Sequence, residues 1–120
     1  MTEPTTTAQD LLRADILASG RDDFVSMADV RGRINRRKLV TTDSERQQLM
    51  VATIRSLLED GLVEVGDIPG PNDPGFLVWP GEIDAIMVEL TKRIVDQWGD
   101  PDLWEYSTWL NLTAAGQSAG

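Results

Sequence analysis

Arg31, Arg33, Arg36, Arg37 and Lys38 stand together between Val30 and Thr42 with no acidic residue among them. Cationic side chains at that density bind phosphate or carboxylate, and they are the most concentrated chemistry in a chain that has neither histidine nor cysteine. Without those two side chains, catalysis would need paired carboxylates, a lysine, a serine with an unusual base or a bound cofactor. No residues are spaced for any of these. Gly70, Gly75 and Gly81 make no phosphate-binding loop, because no glycine-rich turn runs from a strand into a helix with a lysine. Asp67, Asn72 and Asp73 offer oxygen ligands to a hard cation, but their segment lacks the ordered alternation and closing glutamate of a calcium loop. They read as turn residues, and Asp22 and Asp23 as a solvated loop. Trp79, Trp98, Trp104 and Trp109 could line a pocket, although aromatics flanking a hairpin and a last helix more often build a satellite core. The expectation is a protein that is not an enzyme, with no catalytic, metal or cofactor-binding residues.

Charge is unevenly placed. The 120 residues carry a net −9, divided as −4 over residues 1–29, +5 over residues 30–55 and −10 over residues 56–120. A net negative charge opposes phosphate backbones unless positive charge is gathered in one place, and the island at 31–38 is that place. A chain of this length buries roughly two-thirds of its unfolded surface, enough for a core without disulfides. No apolar run approaches the roughly 18 residues of a membrane span, and no basic-then-apolar signal segment opens the chain. A cytoplasmic protein with no membrane contact is expected.

The elements that must hold these residues can be read from caps and periodicity. Residues 1–6 are polar and read as a disordered lead-in. Thr7 and Asp10 stand at capping spacing before a short apolar stripe of Leu12 and Ile16, so helix one is expected over 8–19. Phe24 and Val25 are extended-type residues. Ser26 and Asp29 then cap a second helix over 27–37, with Met27, Val30 and Ile34 inward and Arg33 and Arg36 directly away from that stripe. Thr42 and Glu45 form a capping box for a third helix over 43–60, in which Gln47, Met50, Val51, Ile54, Leu57 and Leu58 make the buried side. Gly61 ends it as a left-handed cap.

Residues 62–65 and 76–79 are rich in strand formers and bracket a proline-rich tip, which predicts a hairpin. Pro80 and Gly81 open a fourth helix over 81–98 with a stripe of Ile83, Ile86, Met87, Leu90 and Ile94. Val88 and Val95 form a second apolar shoulder on it, a candidate dimer seam. Leu103 to Leu112 reads as a last strand, and residues 113–120 as a small, polar end that frays, with 117–120 as the tail beyond a domain of 7–116.

Three short capped helices, the third ending in Leu57-Leu58-Glu59-Asp60-Gly61-Leu62-Val63 and followed by a hairpin, resemble the winged helix-turn-helix superfamily. Leu110-Asn111-Leu112-Thr113-Ala114-Ala115-Gly116 is similar to the Leu-x-Leu-Thr-x-x-Gly segment that closes many such domains. The chain also resembles small uncharacterised bacterial winged-helix-like proteins that carry Gly-Leu-Val-x-x-Gly-Asp, Gly-Phe-x-x-Trp and Trp-Leu-x-x-Thr. The resemblance implies an α+β domain, a three-helix core with a β-hairpin wing, here with a fourth helix and a short C-terminal strand.

In that superfamily the third helix enters the major groove and the wing touches phosphate. Here the wing tip contains Asp67 and Asp73 and no cation. The outer side of helix three carries Glu45, Gln48, Leu49, Ala52, Ser56 and Glu59, flanked by Arg46 and Arg55, a surface that suits protein better than a groove. The cationic island is open to three readings: a counter-charge to the acidic half, a site for an acidic protein partner, or a DNA contact. The preferred reading is a non-catalytic protein-binding domain, in the role of a small acidic antagonist or accessory factor, with a protein partner or a homodimer ahead of DNA. The alternative is a DNA-binding transcriptional regulator that docks through helix three and the turn 31–38.

Overall fold

Three helices begin where side chains close on their own backbone. Thr7 Oγ1 accepts from the Asp10 amide at 3.1 Å and the Asp10 carboxylate accepts from the Thr7 amide at 3.2 Å, starting α1 (Ala8–Gly20). Ser26 Oγ accepts from the Asp29 amide at 3.1 Å and starts α2 (Met27–Arg37). Thr42 and Glu45 make the reciprocal pair that opens α3 (Asp43–Glu59). Gly32 does not interrupt α2. At the end of α3, Gly61 takes φ +70°, its amide donates to the Leu58 carbonyl and the Leu62 amide to Leu57, a Schellman closure that needs a residue tolerant of the left-handed region. The structure, a computed structural model, describes residues 7–68 and 75–119. The expected lead-in 1–6 and the expected wing tip at 69–74, with Asn72 and Asp73, lie outside them, as does Gly120.

Glu45 accepts from both Thr41 and Thr42, by hydroxyl and by amide. The hydroxyl of Thr42 contributes most and that of Thr41 next, and together these bonds hold the carboxyl below the ordinary glutamate value of 4.5. A lowered native value means that the cap's ionic contribution is complete above the unfolded value and is lost as pH falls through the native one. Glu45→Gln should therefore lower the melting temperature at neutral pH by more than it does in acid. Thermal melts across that range, with a gap that does not shrink on acidification, would remove the carboxylate from this role.

The fourth helix differs from its sequence expectation at both ends. Glu82 is its N-cap residue and α4 runs only over Ile83–Thr91 before the chain widens into a π turn at Lys92–Asp96. Residues 103–112 do not form one strand. Pro101–Leu103 is a turn of 3₁₀ helix, and only Trp109–Leu112 is extended. Residues expected to fray instead form α5 (Ala114–Ser118), capped by Thr113, whose hydroxyl also donates to the Gly61 carbonyl at 2.6 Å. A Cβ on Gly116 would lie 2.0 Å from the Leu62 carbonyl oxygen, so α5 sits flush on the chain leaving α3.

Four strands form one antiparallel sheet: β1 (Val25–Ser26), β2 (Val63–Asp67), β3 (Leu77–Val78) and β4 (Trp109–Leu112), in the order β1-β4-β2-β3. The expected hairpin exists only at its far end, where Gly66 faces Val78 and Asp67 faces Leu77. Val63 and Val65 pair with Leu112 and Leu110, so β4 and not β3 lies along most of β2. Alternation explains the choice. Leu110 and Leu112 point inward with Val63 and Val65, whereas Leu77 and Val78 are exposed on the edge. The core lies between this sheet and the helices. Met50, Ile54 and Leu57 of α3 are wholly buried with Leu12 of α1, Ile34 of α2 and Leu90 of α4. Among the described residues no helix is long and apolar enough to cross a membrane.

Candidate functional site

The cationic island is partly engaged by carboxylates of its own chain. Arg31 is half-buried, lies 3.3 Å from Glu105 and spreads its guanidinium over Trp98 and Trp104, 5.1 and 5.7 Å from the ring centroids. Arg33 approaches Asp29 at 3.5 Å and donates to the Ser19 hydroxyl. Arg36 is 3.8 Å from the same Asp29 and more exposed. Arg37 grips the largely buried Asp15 with two bonds, at 2.5 and 2.8 Å, and the hydrogen bond and charge of that carboxylate raise its pKa above the usual arginine value. Lys38, in a left-handed conformation at φ 51°, is exposed and has no ion-pair partner among the described residues. Arg36, Arg37 and Lys38 are exposed, while Arg31 and Arg33 are half-buried. Four of the five cations lie against three carboxylates of the same chain, Asp29 serving both Arg33 and Arg36, so the island keeps about two positive charges for an outside anion.

The outer face of α3 divides in two. Leu49 is half-buried against the core, and Ser56 turns to α1, where its hydroxyl accepts from Arg13, which also pairs with Asp60 at 2.9 Å. These two are not on an open surface, contrary to the sequence reading. Arg46 is held by Asn35 at 2.8 Å and by Asp43 at 3.0 Å. Gln48, Ala52 and Arg55 look the other way, toward α4.

There they meet the residues expected to form a dimer seam. Gln48, Val51 and Ala52 of α3 face Thr91 and Val95 across an apolar groove of about 410 Å³. The groove continues past Arg55, Asp84, Met87, Val88 and Lys92. Val88 is 71 % exposed and Val95 40 %. Arg55 lies at this end, donating to Asp84 at 2.6 Å and to Glu59 at 2.7 Å, and these two bonds raise its pKa, Asp84 contributing more. The structure thus joins two sets of residues that sequence reading kept apart, and the join is a mostly apolar trough with a neutralised arginine at one end.

The tryptophans do not line that groove. Trp98 and Trp104 stack at 5.0 Å with planes 15° apart, beneath Arg31, and Trp104 is fully buried. Trp79 lies under Arg93, 4.5 Å from the ring centroid, and Arg93 also donates to Glu89, to the Thr108 hydroxyl and to the Ser107 carbonyl. Glu89 pairs with Arg93, four residues on, at 3.0 Å, and not with Lys92. Asp67 is 3.9 Å from Arg93, so its carboxylate serves this strut between β2 and the π turn. Among the described residues no three acidic groups converge to hold a metal ion.

Sequence reasoning missed Asp15, Asp29 and Glu105 as the anions of the island. Asp29 and Arg33 stand at i,i+4 spacing on one helix, a signal that was present. Asp15 and Glu105 come from other elements and had none. Comparison with known proteins returns no match, neither to a family model nor to a curated protein nor to a solved structure.

Proposed function

We propose that this chain is a non-catalytic protein-binding domain on a winged-helix scaffold, a small acidic antagonist or accessory factor that makes its contacts through the α3–α4 groove. The order helix, short strand, two helices, strand supports the scaffold reading. The interposed α4 and the central position of β4 are departures from the simple wing. What carries the functional reading is the face of α3 itself. In a DNA reader that face is polar and cationic; here it is an apolar groove whose arginine is bonded to two carboxylates. Exposed apolar surface bordered by charge is the pattern of a protein contact.

Titration of random and genomic duplexes at two salt concentrations tests this against the regulator reading. Duplex affinity near physiological salt should be no better than millimolar, weaker than the roughly 10⁻⁴ to 10⁻⁶ M of a nonspecific DNA binder. Arg36 and Lys38, the two most available cations of the island, would neutralise about two phosphates, and a log–log salt slope no steeper than about −2 follows. Sub-micromolar binding with a slope several units steeper would establish the regulator instead.

A further inference from the structure

We propose that the occupant of the α3–α4 groove is a second copy of this chain, docked about a two-fold axis that sets Lys92 of one protomer against the partner's Asp96. This rests on the protein-contact reading of the face and adds the identity of the partner. Four charged residues line the Val88 half of the groove: Arg55, Asp84, Lys92 and Asp96. Arg55 and Asp84 are bonded to each other. Lys92 and Asp96 have no ion-pair partner among the described residues, although both border apolar surface.

The groove therefore offers one available charge of each sign, at the two ends of the π turn. A rim of one sign would ask for a partner of the other sign, but a rim with one of each, a turn apart, is complementary to itself under two-fold rotation. Shape agrees with charge. Val88 projects from the same face that holds the trough of Ala52, Thr91 and Val95, so a two-fold carries each projecting valine toward the partner's trough. The π turn, a device that recurs at functional positions, is what ends the regular helix here and presents Lys92, Val95 and Asp96 together. Net repulsion between two chains of −9 is screened beyond about 8 Å at physiological salt, whereas charges meeting across the groove are closer than that.

Sedimentation equilibrium of the full chain, its Lys92→Glu and Asp96→Lys variants, and an equimolar mixture of the two variants tests this. Both positions are exposed, and circular dichroism melts confirm that each variant folds. The unmodified chain should dimerise. Each single variant should associate at least tenfold more weakly, because like charges then meet twice. The mixture should regain the dimer, since the carboxylate introduced in one variant meets the ammonium introduced in the other while the native pair persists on the second side. An unmodified chain that stays monomeric at about 1 mM, the weak limit of specific association, overturns the two-fold inference, as does a dimer indifferent to both substitutions or a mixture that fails to associate. Val88→Glu supplies an independent arm, and a dimer unaffected by it likewise overturns the inference. The duplex titration is read separately, so a monomer that ignores DNA removes the self-association and leaves the protein-contact reading in place.

Discussion

Leu57→Asp leaves the chain without a cooperative thermal transition. Leu57 is completely buried in the last turns of α3, among core residues drawn from every helix layer and from the sheet. Its truncation alone would cost about 2–5 kcal/mol. A carboxylate at that point adds the penalty of a polar group without a partner, at least several kcal/mol unless it is protonated. The sum is comparable with the roughly 5–15 kcal/mol that holds a domain together. Leu57→Met, which keeps the volume and the apolar character, should cost under about 1.5 kcal/mol. Circular dichroism melts of the pair measure the difference. A soluble aspartate variant with an unchanged melting temperature would refute the placement of α3.

Trp104→Ala is expected to cost about 3–5 kcal/mol, the range for removal of a buried large aromatic. The indole is wholly buried, stacks on Trp98 and provides part of the plane on which Arg31 lies. Its Nε1 has no hydrogen-bond partner among the described residues. Trp104→Phe should therefore be much milder than Trp104→Ala, since it gives up volume without giving up a bond. Urea unfolding of both variants separates these contributions. Equal losses would mean that the ring nitrogen, and not the stacked surface, is what the protein uses.

Local signals in the sequence led to the right elements wherever the cause was itself local. The Thr7, Ser26 and Thr42 caps and the Gly61 stop are interactions among residues a few positions apart, and each forms as expected. The buried stripe of α2 and Met50, Ile54, Leu57 and Leu58 of α3 follow from helical periodicity for the same reason, whereas Gln47 and Val51, expected inward, line the groove and Thr53 is buried instead. What was not legible depends on distant partners. Leu77 and Val78 have strand-forming side chains as good as those of Leu110 and Leu112, and nothing local says that the later pair will take the inner position beside β2. Thr113 to Ser118 looked too small and polar to be held, yet the absence of a side chain at Gly116 is what lets α5 approach Leu62. At the candidate site, Val88 and Val95 were visible as a shoulder and Gln48, Ala52 and Arg55 as an outer face. Their union required the placement of α4 along α3. Counter-charge within the chain was one reading of the cationic island, but its particular anions could not be picked out, because Asp15 and Glu105 lie far from it along the chain.

The middle place of β4 imposes an order on assembly. β1 and β2 touch the sheet chiefly through β4, so the two strands made early have no common neighbour until residues 109–112 exist. The three capped helices can form as their segments leave the ribosome, at roughly 5–20 residues per second. The sheet beneath them cannot close in that time, and pairing across such a separation is the slow class of folding event. Until then Val25, Val63 and Val65 lack the strand partners Leu110 and Leu112 that they take in the folded chain. The closing strand thus acts as a keystone, and a chain interrupted before it presents an unsealed apolar surface to quality control.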